Sequence, residues 1–139
     1  MINLTDEMVS RLDSALADGY SCLVGTASKD GEPQISPKGS VMAFNRDTLA
    51  YWERAKRSAL DNVAENPQVV VYYAHAADRV RWRFHGKATV HEDGPVRQEV
   101  MDRCVQAELD RDPERLGVAV LIKIEKITEL SGEVLQQAD

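Results

Sequence analysis

The stretch from Arg79 to His91 places the tightest limit on the fold. Arg79, Arg81, Arg83, His85 and Lys87 fall on one side of an alternation, and Val80, Trp82, Phe84, Ala88 and Val90 fall on the other. A two-residue period is that of a β-strand with one face against an apolar core. A strand of this length outruns the usual five or six residues. It can bend and serve two parts of a sheet, which points to a closed or split barrel.

The neighbouring segments supply the other staves. Tyr20 to Ser28 reads as a strand, Lys29-Asp30-Gly31-Glu32 as a hairpin turn, and Gln34 to Phe44 as a strand interrupted by Pro37 and Gly39. Thr48 to Glu53, Gln68 to Ala74 and Val118 to Leu130 are further strands. Thr5 or Asp6 caps a first helix whose Met8, Leu12, Ala15 and Leu16 share a face. A short helix follows Ser58, and another follows Asp93-Gly94-Pro95, with Val96, Val100, Met101, Cys104 and Leu109 turned inward. Gln136 to Asp139 reads as a frayed end. The regular βαβ spacing of a doubly wound fold is absent. The expectation is one mainly β domain over residues 1–139, an antiparallel barrel with flanking helices.

One turn stands out chemically. The apolar, aromatic run Leu49-Ala50-Tyr51-Trp52 leads into Arg54-Ala55-Lys56-Arg57, and Ser58 opens the next helix. A helix start presents unpaired N–H groups and a partial positive charge. With Lys56, Arg57 and the Ser58 hydroxyl added, it becomes a site for a phosphate. The aromatic strand leading in is placed to flank a planar ring. Ser36-Pro37-Lys38-Gly39-Ser40 is a second basic element, where Pro and Gly in a strand imply a bulge or the close approach of a ligand. The Arg79 to Lys87 stripe is the third, with a solvated outer face as its plain alternative.

Charge decides what kind of anion fits. The chain is acidic overall, with 17 Lys and Arg against 23 Asp and Glu and a net charge of −6. That argues against a polyanion track or an anionic membrane, and so against nucleic acid. The basic residues gather instead in the centre of the chain, around Lys38, Lys56, Arg57 and Arg81, as a small anionic ligand requires. The apolar runs are short and the first ten residues are acidic and polar, so a membrane span or a leader is not expected and the chain reads as cytoplasmic. Cys22 and Cys104 sit in apolar contexts and read as reduced, buried thiols. His75, His85 and His91 lack partners at ligand spacing, so no metal site is expected. No nucleophile elbow, P-loop or Gly-rich dinucleotide loop is present, and no general acid or base can be named.

In order and spacing, several of these segments together resemble the pyridoxamine 5'-phosphate oxidase-like family of FMN-binding split barrels. They are Thr26 to Pro33, Ile35-Ser36-Pro37-Lys38-Gly39, Leu49 to Trp52, Lys56-Arg57-Ser58-Ala59, Glu65-Asn66-Pro67 and Arg83 to Ala88. The resemblance implies a homodimer with two FMN sites at the subunit interface. It places Ser36, Lys38 and Gly39 on the strand lining the flavin, Tyr51 and Trp52 beside the ring, and Lys56, Arg57 and Ser58 at the phosphate. It also carries Arg81 to the flavin of the other subunit. Lys38 and Arg81 would then favour a negatively charged reduced flavin if they approach its pyrimidine edge. No counterpart is expected here of the C-terminal segment that binds substrate in pyridoxamine phosphate oxidases. The resemblance therefore implies an FMN-dependent oxidoreductase acting on another small molecule. The alternative is a non-catalytic flavin-, deazaflavin- or heme-binding stress-response protein.

Overall fold

The computed structural model describes residues 1–55 and 58–139. Helix α1 (Asp6–Ser14) starts where the Thr5 hydroxyl accepts the Met8 N–H at 3.1 Å, and it buries Met8 and Leu12. There follow β1 (Cys22–Ala27), β2 (Pro33–Lys38), the short β3 (Met42–Ala43) and β4 (Thr48–Glu53). Helix α2 (Ser58–Glu65) leads into β5 (Gln68–His75) and β6 (Val80–His91). Helices α3 (Gly94–Arg103) and α4 (Gln106–Leu109) precede β7 (Val118–Glu129) and β8 (Val134–Gln137). All pairings are antiparallel, in the order β2-β1-β5-β6-β7-β4-β3, with β8 added to β7.

β6 bends as its length requires. Its first half pairs with Lys126–Glu129 of β7 and its second half with Ala119–Ile124, with the register shifting between His85 and Gly86. The bulge leaves the two backbones so close that a Cβ at position 86 would collide with the Lys123 carbonyl, so glycine is required there.

The inner face of the bent sheet collects Val24, Val71, Tyr73, Phe84, Ile122 and Ile124 under α1. A second cluster forms outside β4, where Trp52, Ala50 and Ala119 meet Val100 of α3, Leu109 of α4 and Cys104 between them. The inward residues expected of the third helix are thus in place, although that helix breaks after Arg103 into two pieces. Both cysteines are free and buried, and burial pushes their pKa values up, to about 12 for Cys22 and about 11 for Cys104. Neither is a ready thiolate nucleophile.

Two expectations change. The run from Gln34 to Phe44 is two strands, because Gly39 and Ser40 turn the chain between β2 and β3. The C-terminal end is a strand: the Met1 ammonium donates to the Gln137 carbonyl at 2.7 Å, and the Gln136 side chain bonds both backbone groups of Asn3. Ends that bind each other do not fray independently. No helix among the described residues is long and apolar enough to cross a membrane.

Candidate functional site

β2 and β4 share no ladder, and the end of β2 with the turn after it meets the end of β4. Among the described residues β2 pairs with β1 alone, and beyond Ala50 the side of β4 facing away from β7 has no strand partner. Side chains close this seam. The Ser40 hydroxyl accepts the Trp52 N–H at 2.9 Å and donates to the Trp52 carbonyl at 3.1 Å, standing in for a missing strand. Lys38 Nζ donates to both carboxylate oxygens of Glu53 at 2.9 Å, with side chains 13% and 2% exposed.

Register explains why β2 brings polar groups here. Lys38 pairs with Cys22, Ser36 with Val24 and Gln34 with Thr26, and directly paired residues share a face. Cys22, Val24 and Thr26 point into the barrel, so Gln34, Ser36 and Lys38 form a half-buried polar row on the same side. Helix α2 packs against β1, β2 and β6, held by Asn62 Nδ2 donating to Thr26 Oγ1 at 3.1 Å. The Gln34 and Ser36 side chains make no hydrogen bond among the described residues. Ser58, at the start of α2, is exposed.

The residues singled out in the sequence divide into several groups. Ser36 and Lys38 lie in the polar row. Gly39 follows it, but what approaches Gly39 is this chain's own Glu108 and Leu16, each 3.1 Å from where a Cβ would stand. Tyr51 and Trp52 point to opposite faces of β4, into the inner and outer clusters, and are 1% and 2% exposed. Neither ring presents an open face in the single chain. The Trp52 indole donates to Asp112 Oδ2 at 2.9 Å, and the Arg97 guanidinium covers its ring at 4.9 Å. The Tyr51 hydroxyl is buried without a partner among the described residues. Burial and the nearby Glu53 charge raise its pKa, so it stays protonated. Lys56 and Arg57 lie outside the described residues.

The basic stripe on β6 faces outward, opposite the core, and two of its cations, Arg83 and Lys87, are committed. Arg83 donates to the Glu129 and Leu130 carbonyls at 3.2 and 2.9 Å, and Lys87 stands 3.7 Å from Glu125. Burial, with Lys126 and Arg83 nearby, lowers the His85 pKa, so its ring adds no charge at neutral pH. Arg81 makes no ion pair or side-chain hydrogen bond among the described residues. Leu60 and Asp61 of α2 line a hollow with Val90 and His91. Arg81 is at the opposite end of β6, about 30 Å away along the strand at roughly 3.3 Å per residue. One chain does not bring Arg81 to the start of α2.

Three further features shape the site, and sequence reading passed them over. Glu53 ends an otherwise apolar strand at a position the alternation buries. A buried carboxylate needs a cation, and that was the available signal. Ser40 carried no such signal, since its partner is backbone. The outer face of β2, β1 and β5 exposes Ile35 at 70%, beside Leu23, Val70 and Tyr72, with Leu130 at 47% closing the patch. Trp82 and Phe84, on the side of β6 that the alternation sets against the core, are core residues at 7% and 0% exposure.

Comparison with known proteins identifies this architecture. The profile of the pyridoxamine 5'-phosphate oxidase family matches residues 8–130, so the chain belongs to that family. Among solved structures, HupZ of Group A Streptococcus superposes with a TM-score of 0.73 at 21% identity, covering 98% of this chain and 99% of that one. A proposed pyridoxamine 5'-phosphate oxidase from Lactobacillus delbrueckii gives 0.72 at 25% identity, covering 91% and 93%. An FMN-binding protein from Syntrophomonas wolfei gives 0.68 at 16% identity, covering 96% and 89%. The split-barrel fold of flavin-binding proteins is thereby shown. No curated protein matches the chain in sequence.

Proposed function

We propose that this member of the pyridoxamine 5'-phosphate oxidase family binds FMN along the β2–β4 seam as a homodimer and serves as a flavin-dependent oxidoreductase for a small molecule. The seam carries the reading. It joins an unladdered strand edge, the unspent Ser36 and Gln34 side chains, and the exposed start of α2. These suit a ligand with a polar ring edge and an anionic tail. Lys56, Arg57 and Ser58 would hold the phosphate, and β2 around Ser36 to Gly39 would hold the ring's polar edge. Tyr51 and Trp52 would shape the seam from beneath, as packed residues of β4. When bound, FMN supplies the redox chemistry, while the chain binds it, orients it and sets the charge around it.

The second copy follows from Arg81 and the apolar patch. An unpaired cation far from the α2 start serves an anionic ligand only by reaching across to another subunit. A twofold dimer that covers Ile35 and Leu130 gives each copy the same contact. The test is complementation. Arg57→Glu and Arg81→Glu homodimers should each bind FMN poorly, and mixing them under subunit exchange should restore one of the two sites in each heterodimer, about one site in four of an equal mixture. FMN binding is read by visible absorption and fluorescence quenching, with a deazaflavin titrated in parallel. If wild-type protein bound neither, the flavin reading would fail. Full FMN binding by Arg81→Glu, or a monomer in light scattering at micromolar concentration, would remove the shared site.

A further inference from the structure

The seam contains an ion pair that stability does not call for. Glu53 is 1% exposed, and among the described residues both its carboxylate oxygens bond only Lys38 Nζ. Taking both ions out of water costs several kcal/mol apiece, and an apolar pair of similar volume commonly does as well or better. Removing one member alone is costly, because it strands the other charge. The pair closes the seam with two charges that cancel. The residues that follow Glu53 carry the opposite arrangement, since Arg54, Lys56 and Arg57 have no acidic neighbour before Asp61.

From this geometry we infer that Glu53 is a tuning residue: it cancels the Lys38 charge where the ring of a bound flavin would lie and leaves the positive charge to the phosphate end. The inference rests on the FMN reading above. Two-electron reduction with uptake of one proton leaves the flavin ring with one added negative charge. An uncompensated ammonium beside the ring stabilises that state, whereas a neutral pair stabilises it far less. Lys38 was expected to favour the reduced anion if it approaches the pyrimidine edge, and on this inference Glu53, with both carboxylate oxygens on that ammonium, offsets the effect. The site keeps its flavin at a low potential, suited to giving electrons to an acceptor more than to taking them from a substrate.

The experiment is a double-mutant cycle on FMN-loaded protein, comparing wild type, Glu53→Gln, Lys38→Met and the double variant. The readouts are FMN affinity and midpoint potential against reference dyes. Glu53→Gln should favour reduced over oxidised flavin by about tenfold, an upward shift of about 30 mV for a two-electron couple. Lys38→Met should shift the potential downward, and the double variant should return to within about twofold of wild type. Without FMN, the double variant should unfold no earlier than either single variant, which shows that the charges compensate each other. If Glu53→Gln does not fold, Lys38→Met and the double variant still carry the test, since restoration on adding the second change is the diagnostic. Tight FMN binding with four equal potentials, or single variants shifting in the same direction, would overturn the role of the pair alone. Absence of FMN binding by wild type would overturn the site reading and this inference with it.

Discussion

β4 has two faces that meet the same requirement in opposite ways. On the Trp52 face the polar network is filled. Asp112 accepts the indole N–H and the N–H groups of Leu116 and Gly117, at 2.9, 2.9 and 2.8 Å. Arg97 covers the ring and donates to the Gly117 and Arg115 carbonyls. Gly117 lies so close that a Cβ would sit 2.6 Å from the indole nitrogen. On the Tyr51 face a buried hydroxyl has no partner among the described residues and two charges cancel each other, and at the adjoining edge one serine replaces a strand. Buried polar groups are normally paired, so a face that leaves some over is where a ligand is to be sought. A filled network holds the fold, and the seam leaves room for chemistry.

The contrast breaks first at Asp112. Asp112→Ala leaves three donors, two of them buried, without an acceptor and should cost about 3 kcal/mol or more in urea unfolding. FMN affinity of the folded protein should be unchanged. A loss below about 1 kcal/mol, or a parallel fall in FMN affinity, would mean that the two faces are not separate. Arg57→Ala should do the reverse. It should weaken FMN binding by about 1.5–3 kcal/mol, the value of a charge-assisted hydrogen bond, without moving the unfolding midpoint of the FMN-free protein. If stability fell as well, Arg57 would belong to the framework and not to the phosphate turn.

The same contrast explains what was legible in the sequence. The elements came from local period and punctuation: the alternation of β6, the apolar run of β5, the Thr5 cap, and the Ser58 to Pro67 helix. Gly86 went unread, although a glycine inside a strand often marks a bulge and the register of β6 shifts there. The seam came through only in part. Ser36 and Lys38 were visible as a polar interruption of a strand, but Glu53 was read as the end of an apolar one. What joins Lys38 to Glu53, Ser40 to Trp52 and Asp112 to Trp52 is contact between segments far apart in the chain, and no local period records it. β8 was missed for a related reason, since Val134-Leu135-Gln136-Gln137 has no alternation and acquires order from Met1, Asn3 and β7.

Ser40→Ala sharpens the comparison from the seam side. It removes one hydroxyl but strands both the N–H and the carbonyl of Trp52 beside the unladdered edge. The expected cost is about 1–2 kcal/mol of stability, recovered in part when FMN binds and orders the seam. Thermal unfolding with and without FMN measures both quantities. An FMN-induced stabilisation smaller than in wild type would place Ser40 in the binding surface itself.

The smallest effect is a change in slope with pH, and it tests whether the Trp52 face is held by charge. Burial works against the Asp112 carboxylate, but the Leu116 N–H, the Trp52 indole and the Gly117 N–H together keep its pKa below the usual range. A carboxyl whose folded pKa lies below its unfolded value of about 3.9 contributes stability that is fully present above that value. As pH falls further the unfolded chain binds the proton first, and the contribution is lost down to the folded pKa. Asp112→Asn keeps the shape but turns an acceptor of three donors into an amide that presents donors of its own. Wild type should therefore exceed Asp112→Asn in stability at pH 7, and the gap should narrow as pH falls below about 4, where the wild-type carboxyl also becomes neutral. Urea midpoints of both proteins between pH 7 and pH 3 read that gap. A constant gap would assign the network to hydrogen-bond geometry alone and remove charge from the account of the filled face.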